Sequence, residues 1–138
     1  MSLQQELDRI IQQLNAESGT IHLIGEDGQL HLAVSTGIPE VVLDRVRTVP
    51  IGKGMAGLAA ERRKPVTICN IQTDTSGDVR PGAKLTGMEG AIAAPMIAGD
   101  GTLGGVLGVA NRAARTFTAE EEETLLAFGR RLLNAALP

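Results

Sequence analysis

The sequence predicts an α+β domain in which helices pack against an antiparallel β-sheet. Two β-hairpins are indicated, around Asp27-Gly28 and around Asp100-Gly101, because apolar strand-like segments flank each dipeptide and a tight primed turn needs a positive φ. An amphipathic helix is predicted at each end of the chain. A length of 138 residues is enough for one domain with its own core, so a single domain over 1–138 is expected.

The first helix is predicted over residues 2–15. Apolar residues recur there at helical spacing: Leu3, Leu7, Ile10, Ile11 and Leu14. Ser2 and Gln5 have the spacing of a capping box. Residues 1–3, Met-Ser-Leu, are also compatible with a cloning remnant, in which case the chain is a domain cut from a longer protein. The first hairpin follows, with strands over 20–24 and 30–35.

The middle of the chain predicts two short helices, a strand and a loop. Residues 39–47 begin with a proline suited to a first helical turn, and 54–63 are rich in alanine. Pro65 ends the second helix, and residues 66–71 are typical of a strand. Residues 72–87 are polar and glycine-rich, which predicts a lid-like loop containing about one helical turn.

The second hairpin and the last helix complete the chain. The strands are predicted over 90–98 and 103–111. Thr118 and Glu121 have capping-box spacing, and the acidic run 120–123 suits the positive end of a helix dipole. Leu125, Phe128, Leu132 and Leu133 form the apolar face. Surplus apolar residues on the terminal helices, such as Ile11, Leu126 and Leu137, suggest a homodimer formed by these helices.

Composition excludes several classes of function. The net charge of −3 and the near absence of aromatic residues argue against nucleic-acid binding. No apolar segment reaches the roughly 18 residues of a membrane span, and no secretory signal is visible, so no membrane association and a cytoplasmic location are expected. One cysteine, Cys69, allows no internal disulfide and no cysteine-rich metal site.

The segment PIGKGMAG, 50–57, matches the dinucleotide pattern G-x-G-x-x-G through Gly52, Gly54 and Gly57. That pattern requires a crossover between parallel strands, whereas both predicted strand pairs are antiparallel hairpins. A P-loop is excluded because Lys53 lies inside the pattern and no G-K-[ST] follows. The glycines are instead predicted to permit a sharp turn into the helix and, at Gly57, its close approach to the sheet.

The order helix, hairpin, helical excursion, hairpin, helix resembles the GAF domain family over essentially the whole chain. The resemblance is carried by VPIGKGMAGLAAERRKPVTICNI at 49–71, APMIAGDGTLGGVLGVANR at 94–112 and FTAEEEETLLAF at 117–128. It implies a five- or six-stranded antiparallel sheet with helices on both faces. The terminal helices would pack together on one face, and the excursion with loop 72–87 would cover a small pocket on the other.

A signature of one GAF subset, N-K-F-D-E, is present in a degenerate form. Asn111-Arg112, Phe117 and Glu121-Glu122 occupy its positions, with arginine replacing lysine and glutamate replacing aspartate. The preferred interpretation is structural: a basic–acidic pair ties the end of the last strand to the final helix. Cyclic-nucleotide binding is the less favoured alternative, because a signature that fixes a hinge need not contact a ligand.

A catalytic alternative comes from the resemblance to free methionine-R-sulfoxide reductases. That resemblance implies several cysteines, yet Ala56 occupies a position where one is expected and loop 72–87 has none. Because a thiol cycle needs an attacking and a resolving thiol, Cys69 alone cannot complete it within one chain. Cys69 is therefore interpreted as a small buried hydrophobic residue. His22 and His31 each lie on a predicted hairpin strand, where three roles stay open: hydrogen-bond donor in a pocket, haem ligand or exposed residue. No His, Asp or Glu residues occur at the spacing of a metal site.

The favoured hypothesis is a non-enzymatic GAF sensor or regulatory domain that binds a small molecule or relays a signal through its terminal helices. A reductase of the above type and a dimerisation module with a filled pocket are the alternatives. No cofactor or ligand can be named from the sequence. Candidate ligand contacts are predicted in the roof and the sheet beneath it: Asn70, Arg80, Thr86, Met88, Ala91 and Ala93. Arg80 could hold an anion bidentately, although an exposed loop charge is the favoured interpretation.

Overall fold

The computed structural model describes residues 2–136, with four α-helices, one 3₁₀ helix and six strands. The helices are α1 (Leu3–Gln13), α2 (Glu40–Val46), α3 (Gly54–Arg62) and α4 (Ala119–Ala136), and the 3₁₀ helix spans Pro81–Thr86. The strands are β1 (Ser18–Ile24), β2 (Leu30–Thr36), β3 (Thr48–Val49), β4 (Val66–Ile68), β5 (Gly90–Ile97) and β6 (Leu103–Asn111). Among these residues no helix is both long and apolar enough to cross a membrane.

The six strands form one antiparallel sheet in the order β3-β2-β1-β6-β5-β4, which confirms the predicted fold class. The two hairpins are adjacent because β1 pairs with β6, from Ser18 opposite Ala110 to Leu23 opposite Gly105. This long-range pairing places the first and last strands at the centre of the sheet. β3 was not predicted, and β4 is shorter than the predicted strand over 66–71.

Both hairpin turns differ from the predicted primed type. Gly28 and Gly101 have φ of +76° and +89°, while Asp27 and Asp100 are not among the residues with positive φ. Each aspartate accepts a hydrogen bond on Oδ1 from the backbone N–H two residues on, at 3.0 and 2.9 Å. The glycine therefore supplies the left-handed residue at the end of a longer loop, and the aspartate fixes that loop through its side chain.

The terminal helices cover one face of the sheet, as the resemblance implies. Ser2 and Gln5 form the predicted capping box of α1. The apolar faces of α1 and α4 join the strand residues on this side in one core: Leu7, Ile10, Ile11, Leu14, Ile21, Ile92, Ala94, Met96, Leu107, Val109, Leu125, Phe128, Leu132 and Leu133. A salt bridge from Arg131 Nη2 to Glu6 Oε2 at 3.0 Å links the two helices.

The residues suggested for a homodimer are not all available for one. Ile11 is only 7% exposed because it belongs to the core beneath α1, so its assignment to a dimer surface was wrong. Leu126 is partly buried against the same core. Leu137 lies outside the described residues. A homodimer through the terminal helices stays a prediction.

Glycines shape the turn into α3. Gly52 and Gly54 have φ of +89° and +67°, as the predicted sharp turn requires. A Cβ on Gly57 would lie 2.4 Å from the carbonyl oxygen of Pro50 and 3.1 Å from the backbone nitrogen of Gly52. Gly57 therefore lets α3 pack closely against the loop that precedes it. The sequence analysis had predicted close packing against the sheet instead.

The junction between β6 and α4 is fixed by Arg115 rather than by Arg112. Arg115 pairs with Glu121, donates to Asn111 Oδ1 at 2.8 Å, and lies 4.4 Å from the centre of the Phe117 ring. Arg112 instead pairs with Glu17 at 3.4 Å. The predicted basic–acidic tie exists, but its arginine lies outside the signature positions.

Glu121 has a second role in the capping box that begins α4. Its backbone N–H donates to Thr118 Oγ1 at 3.1 Å, and its Oε1 accepts from the Thr118 N–H at 2.9 Å. The hydrogen bond from the Thr118 N–H, followed by that from Arg115, lowers the pKa of the Glu121 carboxyl. The predicted capping box is confirmed.

Candidate ligand-binding cavity

A cavity of about 570 Å³ lies between the sheet and the roof formed by α2, α3, and the 3₁₀ helix with the segment before it. Its volume falls in the range of roughly 300–1,000 Å³ that accommodates metabolite-sized ligands. The floor is made by alternate residues of three central strands, which face away from the terminal helices. These floor residues are Ser18, Thr20, His22, Ala91, Ala93, Val106, Gly108 and Ala110.

Small floor residues create this space. Ala91 and Ala93 on β5 and Gly108 on β6 leave room where larger strand residues would fill the interior. A Cβ on Gly108 would lie 3.4 Å from Thr20 Oγ1 and 3.5 Å from the Ile92 carbonyl oxygen, which are ordinary contacts. Larger side chains at Gly108 are therefore compatible with the backbone and would project into the cavity.

The roof is held in place by hydrogen bonds within the polar loop 72–87. Thr86 Oγ1 donates to the Ala83 carbonyl at 2.8 Å and accepts from the Met88 N–H at 3.0 Å. The Gln72 amide donates to the carbonyls of Met88 and Lys84 at 2.8 and 3.2 Å. The loop thus has a defined conformation over the cavity, with a 3₁₀ helix where a helical turn was predicted.

His22 is the main polar group of the floor. It is 3% exposed, and its Nε2 lies 2.7 Å from the Val46 carbonyl oxygen. A carbonyl only accepts hydrogen bonds, so Nε2 carries the hydrogen and Nδ1 of the neutral ring is an acceptor. Nδ1 has no partner among the described residues, and neither has the buried Oγ of Ser18. Both atoms are fully buried, so a ligand in the cavity would reach them only if their side chains reorient, and unsatisfied buried polar atoms of this kind are unusual in a folded protein.

We predict acid sensitivity from His22. Burial lowers its pKa below the usual 6.5, a shift that the bond to Val46 opposes and the neighbouring His31 reinforces. In the unfolded chain His22 takes up a proton near pH 6.5, but in the native state only at lower pH. The unfolded state then binds more protons, so the free energy of unfolding should fall as the pH drops below about 6.5.

Urea denaturation at pH 7.5 and 5.5 measures this effect. His22→Gln, whose amide can still donate to the Val46 carbonyl, should show a smaller loss of stability over this interval than the unsubstituted chain. His31→Gln is the comparison variant: His31 is half-buried, pairs with Asp27 at 2.9 Å and has the weakest influence on the pKa of His22, so this variant should change the pH dependence less than His22→Gln. An equal pH dependence in the chain and in His22→Gln would contradict the prediction.

The structure brings four of the six predicted contact residues together. Arg80, Thr86, Ala91 and Ala93 line the cavity. Asn70 and Met88 are not among the lining residues. The side-chain amide of Asn70 donates to Glu89 Oε1 at 3.1 Å. Oδ1 of Asn70 accepts from the backbone N–H of Gln72. Met88 is 4% exposed in an apolar cluster with Ile68 and Ile71. Ligand contact by any of the six stays a prediction.

Several lining residues were missed by the sequence analysis. Ser18 and Thr20 were missed, whereas His22 had been considered as a pocket donor. These three residues alternate along β1 with Gly19 and Ile21, so polar residues share one face of the strand and apolar packing occupies the other. That two-residue period was visible in the sequence. Arg45 and Lys53 were also missed, because only the tertiary structure brings α2 and the start of α3 to the same opening.

The interpretation of Cys69 was wrong. Its side chain is exposed, because Val66 and Ile68 take the inward positions of β4 and the next residue points outward. Cys69 is not a lining residue of the cavity, and its Sγ accepts a weak contact from Thr116 Oγ1 at 3.8 Å. Across the described residues no group of three His, Cys, Asp or Glu side chains could hold a metal ion.

Comparison with known families identifies the class of this domain. The family model described as "GAF domain" matches residues 3–135. The chain therefore belongs to the GAF domain family, which confirms the resemblance noted from the sequence. A comparison with curated proteins finds no match.

Solved structures agree on the fold. The GAF domain of a phosphoenolpyruvate-protein phosphotransferase from Coxiella burnetii is 21% identical, with a TM-score of 0.73, covering 97% of this chain and 82% of that one. A domain assigned to a two-component sensor histidine kinase protein from Sinorhizobium meliloti 1021 is 19% identical (TM-score 0.75, 96% and 86%). Free methionine-R-sulfoxide reductase from Neisseria meningitidis, solved with its substrate, is 18% identical (TM-score 0.75, 96% and 74%). Sensor-associated domains and enzymes thus share this fold, and these similarities define architecture alone.

Proposed function

We propose that this GAF domain is a non-enzymatic sensor that binds a small molecule in the cavity and relays its presence through the terminal helices. The observation that carries the proposal is the roomy cavity, whose floor combines small residues with the polar residues Ser18, Thr20 and His22. A dimerisation module with a filled pocket would not need this space.

The arrangement of cysteine favours binding over catalysis. A sulfoxide reductase cycle needs a thiolate beside the substrate and a second thiol to release the product. Cys69 is exposed and does not line the cavity. Ala56, at a position where the reductase resemblance implies a cysteine, does line it.

A physical route for the relay runs through the central strands. On β1, Thr20 lines the cavity and its neighbour Ile21 packs in the core beneath the terminal helices. On β5, Ala93 lines the cavity and its neighbour Ile92 packs in the same core. A shift of these strands on ligand binding would act directly on the surface against which α1 and α4 pack. Homodimerisation and a cytoplasmic location belong to the same proposal.

Thermal denaturation against a panel of nucleotides, tetrapyrroles, amino acids and organic acids tests this function. A true ligand at 100 times its Kd should stabilise the native state by about 2.7 kcal/mol, which is a shift of several degrees for a chain of this size. Failure of every compound to shift the transition would contradict the proposal.

Cavity-blocking and control variants locate the effect. Gly108→Val keeps ordinary contacts at Cβ, suits a strand, and places its methyl groups in the cavity, so it should abolish the ligand-induced shift. Gly99→Val lies in an exposed turn with no atom within 4 Å of its Cβ and should retain it. A shift that persists in Gly108→Val would place binding elsewhere and overturn the assignment of the cavity.

A further inference from the structure

We propose that the cavity selects an organic anion, with an apolar body in the interior and its negatively charged group at the mouth. This inference rests on the proposed function and adds the chemical class of the ligand. It follows from the charge of the lining residues, the orientation of the floor and the polarity of the helix end that faces the cavity.

Three cationic side chains surround the opening. Arg45 comes from α2, Lys53 precedes α3, and Arg80 precedes the 3₁₀ helix. The side chains of Arg80 and Arg45 lie over glycines: a Cβ on Gly54 would be 2.9 Å from Arg80 Cδ, and one on Gly82 would be 3.1 Å from Arg45 Cδ. Both arginines are therefore packed at the mouth through their aliphatic parts, which leaves their guanidinium groups available to bind an anion.

These cations form no ion pair among the described residues. No described lining residue is an aspartate or glutamate, and the Glu61 carboxylate, which lies against Gly52, does not pair with Lys53. Within the part of the chain that the structure describes, Arg45, Lys53 and Arg80 form no ion pair, although other arginines, such as Arg47, Arg62 and Arg112, do. Three unpaired cations around an acid-free opening create a positive potential that favours an anion over a neutral or cationic ligand.

The start of α3 adds to this potential. Gly54, Met55 and Ala56 line the cavity, and no side chain caps this end of the nine-residue helix. Backbone N–H groups in a first helical turn lack intrahelical acceptors, and the helix dipole places partial positive charge there. Lys53 lies directly before these groups, so a carboxylate or phosphate at the mouth could meet both the side chain and the backbone.

The floor determines which end of the ligand enters first. The lining there is mostly apolar or small, and the strands contribute no cationic side chain to it. Such a floor disfavours an anion, because burying a charge without a partner is costly. The apolar body therefore lies inside, and the anionic group remains at the partly hydrated opening beside the cations.

Matched probes test the charge preference. Each set shares one apolar body: 3-phenylpropanoate, 3-phenylpropanamide and 3-phenylpropylamine; indole-3-acetate, indole-3-acetamide and tryptamine; hexanoate, hexanamide and hexylamine. Comparison of phenyl phosphate with 3-phenylpropanoate distinguishes a phosphate from a carboxylate, and benzyl alcohol is a neutral reference. Binding is followed by two-dimensional amide NMR of the folded domain, with shifts at cavity residues such as Thr20 and Gly108 as the readout.

The anions are expected to bind at least about tenfold more tightly than the amides, with the amines weakest, because charge-assisted hydrogen bonds to arginine and lysine are the stronger ones. Raising the salt from 0.1 to 0.5 M should reduce this preference. Cavity binding without charge preference would overturn the inference and leave the proposed function intact. No cavity binding by any probe, together with no thermal shift, would overturn both.

A matched pair of double variants assigns the preference to these side chains. Lys53→Ala/Arg80→Ala should lower anion affinity about tenfold and leave amide affinity unchanged. Lys64→Ala/Arg130→Ala is the control, since it removes the same charge from exposed residues that do not line the cavity. Equal effects of the two double variants on anion affinity would mean that net charge, and not the mouth of the cavity, determines binding.

Discussion

Replacement of Gly57 by alanine is expected to lower the free energy of unfolding by about 1–3 kcal/mol, the usual cost of overpacking. The sign is informative because the same change inside an exposed helix raises stability by up to about 1 kcal/mol. At this position the new Cβ would lie 2.4 Å from the Pro50 carbonyl oxygen. A backbone carbonyl cannot rotate aside like a flexible side chain, so the loop before α3 would have to move.

Urea denaturation of Gly57→Ala beside Gly99→Ala measures this effect. Gly99 has no atom within 4 Å of a built Cβ and is in an exposed turn, so its alanine variant should change stability by less than about 0.5 kcal/mol. Should Gly57→Ala prove as stable as the original chain, close backbone packing would not be the reason for glycine here.

The same contact explains why a nucleotide motif occurs without a nucleotide loop. The N–H of Gly52 donates to the Gly57 carbonyl at 2.8 Å, so an amide that a phosphate cradle would present is already satisfied internally. Gly52 and Gly54 have positive φ and make the turn. Of this segment, the part that faces the cavity is Lys53 and the first turn of α3.

The fold was predictable because its signals are local. Each hairpin has apolar strands around an Asp-Gly dipeptide, and each terminal helix has an apolar stripe with a capping box at its start. β3 has only two residues, Thr48 and Val49, which are held by pairing with β2 and carry no pattern of their own. The predicted strand over 66–71 shortens because Asn70 and Ile71 leave the sheet for the loop beneath the roof.

The cavity was predictable only in part. Ala91 and Ala93 were predicted because they are small residues on a strand that the resemblance places beneath the roof. The alternation along β1 was visible, but which of its two faces lines the cavity depends on pairing with β6, more than 80 residues later in the sequence, so Ser18 and Thr20 were missed and the role of His22 stayed open. The exposure of Cys69, by contrast, could have been predicted from the sequence. The two-residue period of β4 places Cys69 on the face opposite to that of Val66 and Ile68. Arg80 was predicted in the roof, but tertiary packing alone brings Arg45 and Lys53 to the same opening.

The second large effect is expected at Arg115. Arg115→Ala should lower the free energy of unfolding by about 2 kcal/mol or more, because it leaves Glu121, at 24% side-chain exposure, without its partner. The variant also loses the hydrogen bond to Asn111 Oδ1 and the contact with the Phe117 ring. These interactions converge on the connection between β6 and α4, and Glu121 keeps only its capping-box bonds to Thr118 without them.

Arg112→Ala is the matched control and should cost less than about 0.5 kcal/mol. Its pair with Glu17 has 77% and 42% side-chain exposure, and exposed pairs contribute little. The double variant Arg115→Ala/Glu121→Gln, which removes the unpaired carboxylate charge, should recover part of the loss. Should Arg112→Ala be the more destabilising single variant, the signature position would hold the junction after all. The expected order instead means that the tie between the last strand and the final helix is made by Arg115, three residues after the signature position that Arg112 occupies.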